Sequence, residues 1–302
     1  MKVGIIVPQG WTGEYAGMDS RAAWQRTVEV AQAADRLGFE SIWMFDHFHT
    51  TPDPTDELTF ESFTSLSALA ALTEHVRLGH IVICTAFRNP ALQAKMISTM
   101  DTISGGRMEL GIGAGWKKEE WEAYGYDFPE TRERLATLEN HLEVITRMLE
   151  PGRATFEGQD ASVKGAINQP KPIQEPRVPI MVGGNGRNVT WRLAARFADE
   201  LNVDGMAPDE IRDEAMPLLR RHCEEIGRDP ATLKVSAHIW WSNLAKAPDR
   251  SALLGAYREA GVSRVMAMIR DTARDPGALG AFRDDALAAG AELHDAAPVG
   301  AR

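Results

Sequence analysis

The run Pro179-Ile180-Met181-Val182-Gly183-Gly184-Asn185-Gly186-Arg187 decides the fold. Pro179–Val182 is a short apolar stretch of the length a buried strand takes, and the glycines end it. Asn188–Phe197 then spaces its apolar residues as a helix does, and Glu200–Val203 reads as the next strand. A strand followed by a helix and another strand implies parallel pairing through a right-handed crossover.

The same alternation extends in both directions. Toward the N-terminus the strands are Val3–Val7, Ser41–Phe45, Val76–Ile83 and Arg107–Ile112. Between and after them run the helices Ala22–Leu37, Ser62–Thr73, Asn89 to Ile103 and Glu130–Leu149. Toward the C-terminus come Asp209–Ile226, Leu233–Ile239, Asp249–Ala260, Arg264–Ile269 and Gly277–Ala289, again helix and strand by turns. Eight strand–helix units in a chain of 302 residues predict an α/β fold, a single (β/α)8 (TIM) barrel over residues 1–302. An open doubly wound sheet is the competing arrangement. The rhythm breaks at residues 151–178, rich in proline and glycine, which predicts an irregular insertion between the fourth helix and fifth strand with one hairpin near Ala154–Phe156 and Ala161–Val163. Residues 291–302, rich in Ala, Pro and Gly, predict a loosely ordered tail.

Composition narrows the function. Lys plus Arg number 33 against 43 Asp plus Glu, a net charge of −10, which repels a nucleic-acid backbone and argues against such a partner. Lys117-Lys118 is cancelled at once by Glu119-Glu120. No apolar stretch reaches a membrane span, and the N-terminal run is too short for a signal peptide. Cys84 and Cys223 form no CxxC pair, which suits a reducing cytoplasm.

In a barrel of this kind, working residues follow the strand C-termini. Gly183, Gly184, Asn185 and Gly186 join a strand to a helix N-terminus, where backbone N–H groups and the helix dipole favour a phosphate. Their spacing is not that of a Rossmann fingerprint. Gly111-Ile112-Gly113-Ala114-Gly115-Trp116 ends the fourth strand, with small residues that would admit a flat ring. Asp46-His47-Phe48-His49 ends the second. There His47 can exchange a proton near neutral pH, and Asp46 can orient it or contact a cofactor. The His-x-His pair also admits a metal-dependent barrel hydrolase with His47, His49, His238 and Asp271 as ligands, although that reading leaves the glycine loop unexplained. Cys84 has no basic neighbour in sequence and reads as a small buried residue.

Taken together, Leu37–Trp43 with Asp46-His47, Val76–Gly79, Arg88–Leu92, Ser104–Arg107, Gly111–Trp116, Val182–Gly186 and Ala198–Asn202 resemble the luciferase-like monooxygenase superfamily. The order and spacing look most like its branch that uses the deazaflavin coenzyme F420, over residues 1 to 202. That resemblance implies hydride transfer between F420 and a small organic substrate, with an FMN-dependent monooxygenase as the alternative. It implies a phosphate on Gly183, Gly184, Asn185 and Gly186, with Asp46, Ile81, Val82, Cys84, Ala114, Gly115 and Trp116 near the ring or its linker. It further implies a non-prolyl cis peptide near Ile81-Val82 and a homodimer. Sugar-phosphate dehydrogenases of the branch carry Glu directly after the G-x-G-x-G run; Trp116 stands there instead, which implies an apolar or aromatic substrate. Trp11, Tyr15, Phe60 and Trp116 are candidate walls for it.

Overall fold

The computed structural model describes residues 1–294. In chain order it runs β1 (Lys2–Ile6), α1 (Ser20–Arg36), β2 (Ser41–Met44), α2 (Ser62–Leu72), β3 (Arg77–His80), β4 (Ile83–Cys84), α3 (Pro90–Ser104), β5 (Met108–Gly113), α4 (Lys118–Ala123) and α5 (Thr131–Leu149). The hairpin β6 (Ala154–Glu157) and β7 (Ser162–Ala166) follows, then β8 (Ile180–Gly183), α6 (Thr190–Phe197) and β9 (Glu200–Asp204). A helical stretch comprises α7 (Pro208–Glu210), a π segment (Ile211–Ala215) and α8 (Met216–Glu225). The chain closes with β10 (Lys234–Ile239), α9 (Trp241–Lys246), α10 (Arg250–Glu259), β11 (Arg264–Met268) and α11 (Ala278–Ala288).

Local chemistry starts the helices where the sequence does. The Asp19 side chain accepts from the amides of Arg21 and Ala22 at the head of α1, and Asn89 accepts from Ala91 and Leu92 ahead of Pro90 in α3. All barrel pairings are parallel, in the order β3-β2-β1-β11-β10-β9-β8-β5-β4, and β3 also pairs with β5. That last pairing closes the sheet, so the open doubly wound alternative falls and the (β/α)8 barrel stands. The third barrel strand is not continuous as the sequence suggested. It is split into β3 and β4 by a cis peptide between Ile81 and Val82. Between α5 and β8 the chain forms the antiparallel β6–β7 hairpin, with Phe156 opposite Val163. Ala291, Glu292 and His294 are tied by their amides to Ala286, Met1 and Gly38; residues 295–302 of the expected tail lie outside the described residues.

Alternation along each strand divides the core in two. Met108, Leu110 and Ile112 of β5 point outward into the large cluster shared with the helices, while Glu109, Gly111 and Gly113 point inward. Inside the barrel Trp43, Ile6, Met181 and Met266 form an apolar layer. Trp43 fits only because its neighbour is small: a Cβ on Gly79 would lie 2.2 Å from Trp43 Cζ3.

Below this layer, at the strand N-termini, lies a buried charge cluster. Arg264 reaches Glu40 (3.0 Å), Glu109 (2.8 Å) and Glu200 (2.6 Å), and Arg77 also pairs with Glu109. Lys2 reaches Glu40 from the rim, so three cations face three carboxylates. Burial alone would raise the Glu109 carboxyl, but the Arg264 and Arg77 guanidinium groups hold it well below the usual carboxylate range.

Two outcomes follow. Arg264→Met leaves the buried Glu200 with no cation and Glu40 and Glu109 with one each, and is expected to cost about 3–5 kcal/mol, read as a fall in the urea midpoint. A depressed folded-state pKa adds stability above the ordinary carboxylate pKa, and that stability fades as pH falls through the folded value. The wild type therefore loses stability below about pH 4.5. Arg264→Met, which leaves Glu200 as a buried carboxylate without a cation, is expected instead to gain stability from pH 7 toward pH 5. A variant with the wild-type pH curve would remove the cluster from this role.

Candidate active site

The barrel mouth, at the strand C-termini, opens into a cavity of about 350 Å3. His47, just past β2, lines one side and is stacked on Trp11 at 4.4 Å between ring centroids, with an interplanar angle of 4°. Its Nδ1 lies 2.7 Å from Glu120 Oε2. That leaves Nε2 as the ring nitrogen with no hydrogen-bond partner among the described residues. Glu120 sits in α4, after β5, and also accepts from the amides of Phe48 (2.7 Å) and His49 (3.3 Å). Burial pushes the Glu120 carboxyl up; the His47 hydrogen bond and these two amides outweigh it and bring its pKa below the ordinary value. A carboxylate thus fixes the orientation of the imidazole, a geometry that an acid–base group would need.

Asp46 does not pair with His47. Its carboxylate is taken by Arg88 (2.7 and 3.0 Å), the Ser62 hydroxyl (3.0 Å) and the Cys84 amide (3.0 Å). The last bond anchors the chain just beyond the Ile81-Val82 cis peptide, so Asp46 shapes the third strand as well as lining the cavity. Ile81, Val82, Cys84, Ala114, Gly115 and Trp116 all reach the same cavity. Trp116 is 62% exposed and sits edge-on to His47 at 5.9 Å. Burial raises the Cys84 thiol pKa to about 12, which keeps the sulfur protonated and inert. Of the four aromatics proposed as walls, Trp11 and Trp116 line the cavity. Tyr15 instead donates to Pro8 O, and Phe60 packs against Tyr15 and Trp24.

The glycine loop divides its duties. The Gly184 amide is spent on Asn202 O (3.0 Å), and the Asn185 side chain clips the loop to Asp204 through two bonds of 2.7 and 2.9 Å. With φ at +127° and only Thr190 Cγ2 near a notional Cβ (3.6 Å), Gly184 leaves the approach clear. The amides of Asn185, Gly186, Arg187 and Asn188 donate to no acceptor among the described residues, and these four residues are exposed ahead of α6. Unpartnered amides preceding a helix N-terminus make an anion site. Gly183, Gly184 and Gly186 line the cavity that also holds His47, so the two stations belong to one site.

The far wall entered the sequence reading only through His238, as a metal ligand. His238 of β10 lies opposite Asp204 of β9 in the parallel register, and Trp240 follows. Trp240 Nε1 donates to Asp204 Oδ1 (2.6 Å), and His238 Nδ1 is 3.4 Å from that oxygen. Burial lowers the His238 pKa to about 3, so its ring is neutral.

The metal-hydrolase alternative is not supported by these positions. His47 and His238 line the cavity, but His49 and Asp271 do not, and no cluster of three or more His, Cys, Asp or Glu suited to a metal occurs among the described residues. His49 Nδ1 turns to Thr50 O at 3.3 Å, and Asp271 lies in a short helical turn after β11. No helix among the described residues is long and apolar enough to cross a membrane.

Comparison with known proteins agrees with this geometry. The F420-dependent glucose-6-phosphate dehydrogenase of Kineococcus radiotolerans is 34% identical over 205 residues, 67% of this chain and 59% of that protein's length. An uncharacterised protein of Mycobacterium tuberculosis is 27% identical over 82% of this chain and 89% of its own. Among solved structures, an F420-dependent secondary alcohol dehydrogenase with an F420–acetone adduct superposes with a TM-score of 0.78 at 20% identity, covering 95% of this chain and 98% of the other. The FMN-bound oxygenating constituent of 3,6-diketocamphane monooxygenase from Pseudomonas putida does so at 0.74 and 17%, covering 97% and 99%. Both of these share the fold. The profile of the luciferase-like monooxygenase family matches residues 1–297, and the chain belongs to that family.

Proposed function

We propose that the chain is an F420-dependent oxidoreductase that exchanges a hydride with a small, largely apolar or aromatic substrate. One observation carries the reading: Gly186, within a run of unpartnered amides, lines the same cavity as an imidazole held by a buried carboxylate. Curated relatives above 30% identity are named as F420-dependent dehydrogenases, which favours the deazaflavin over FMN. The residues present fit such a coenzyme. The amides of residues 185–188 would take its phosphate, and the small side chains of Gly113 and Ala114 leave room beside Val82 and Cys84. When bound, a deazaflavin supplies a ring carbon that gives or accepts a hydride.

The protein's own work is orientation and proton handling. Nε2 of His47 holds or releases the substrate proton, while Glu120 keeps the ring in place and offsets its charge. Asp46, committed to Arg88 and the Cys84 amide, keeps the third strand in register and moves no proton. Trp11, Phe45, Trp116 and Trp240 give the cavity an aromatic lining suited to an apolar body. Two free, buried cysteines fit a reducing cytoplasm. Leu72, Leu92 and Ile103 are large apolar side chains exposed on α2 and α3, surface that a homodimer would cover.

Two measurements test this. Titration should rank F420 above the same deazaflavin stripped of its phosphate tail by about tenfold or more, the value of charge-assisted hydrogen bonds, and F420 above FMN. Tighter FMN binding would overturn the assignment. His47→Ala should retain F420 affinity yet slow turnover by about a hundredfold, and Glu120→Gln by a smaller factor in the same direction. Unchanged turnover in His47→Ala would remove His47 from the mechanism.

A further inference from the structure

The cavity holds a second imidazole that the hydride-transfer reading does not use. His238 is 4% exposed, and its Nε2 is buried with no hydrogen-bond partner. An unpaired buried polar atom is costly unless something else completes it. Its other nitrogen faces Asp204 Oδ1 at 3.4 Å. That oxygen already accepts from Trp240 Nε1 at 2.6 Å, so it presents lone-pair density to the ring. The imidazole proton is favoured on Nδ1, and Nε2 is left as an acceptor. Because burial keeps the ring neutral, Nε2 serves as an acceptor throughout the working pH range.

The two histidines are separated by aromatic surface. Phe45 lies 6.3 Å from His47 and 5.5 Å from His238, centroid to centroid. Trp11 stacks on His47 at 4.4 Å, and Trp240 covers His238 at 4.3 Å. The cavity therefore has a proton-bearing pole, an apolar middle and an acceptor-only pole beside a carboxylate. An anionic group at the second pole would meet the Nε2 lone pair and Asp204; a neutral hydroxyl or N–H would complete the orphaned atom.

We propose that His238, held by Asp204, anchors a neutral hydrogen-bond donor on the substrate, so that the site selects an apolar or aromatic body carrying a hydroxyl or N–H away from the reacting carbon. This rests on the substrate cavity being the one described above. In it His238 is a specificity-determining contact and Asp204 a positioning residue.

The test uses an aromatic alcohol with no oxidisable carbinol, phenol, and its methyl ether, which differ in the donor, with tryptophan fluorescence quenching as the readout. Each is titrated into the protein alone and into the protein saturated with F420. The wild type is expected to favour the alcohol by about tenfold. His238→Phe should bind the ether as before and lose the preference. Asp204→Leu should also lose it. Asp204→Asn, which keeps an oxygen toward Nδ1, should restore it, a rescue that a merely structural role for Asp204 would not give. A wild type that does not discriminate, or a His238→Phe variant that still does, overturns the proposal. Failure to bind F420 would instead sink the cofactor reading and leave the alcohol-to-ether ratio readable.

Discussion

One guanidinium holds the barrel floor. Arg264, at the start of β11, meets carboxylates from the start of β9, from β5 across the barrel and from the residue before β2. Inward positions of a parallel barrel crowd a single axis, and charge there survives only when paired and hydrogen-bonded. Here the pairing draws distant strands to one point. Arg264 also lies under the Trp43 ring at 5.1 Å, which passes the constraint to the apolar layer above. What remains above that layer is the mouth, where the inward residues Asn202, Asp204 and His238 meet the cavity.

The site is built by loops that a rigid floor allows to differ. His47 comes from the β2 end and Glu120 from the helix after β5; Asp204 and His238 come from adjacent strands on the other side. Asp46 works between these groups. By binding Arg88, Ser62 and the Cys84 amide at once it spends every strong acceptor direction on the scaffold. The acid expected to steer His47 is therefore a brace, and a carboxylate 73 residues beyond His47 holds the ring.

The barrel was legible in the sequence because its signal is repeated: strand-length apolar runs and helical spacing recur through the chain, and each reading supports the next. The strand end at the β8–α6 junction was equally plain, since three glycines in four residues stop an apolar strand before a helix. The broken third strand was implied by family resemblance alone, because Val76–Ile83 contains no proline or other local signal of an interruption at Ile81-Val82. Glu120 was hidden by its neighbours. Within Lys117-Lys118-Glu119-Glu120 it reads as part of a solvated charge run, and only the fold turns it inward beside Trp121. His238 carried a weak cue, the Trp240-Trp241 pair just beyond it, but its link to Asp204 depends on strand register, which no local pattern specifies.

Cys84 packs with Phe87 and Trp121, on the wall of a cavity suited to two-electron chemistry, with its thiol held firmly protonated. Peroxide attacks thiolate and largely spares thiol. The cysteine sulfur on this wall is thus shielded from stray oxidants without any partner group to guard it.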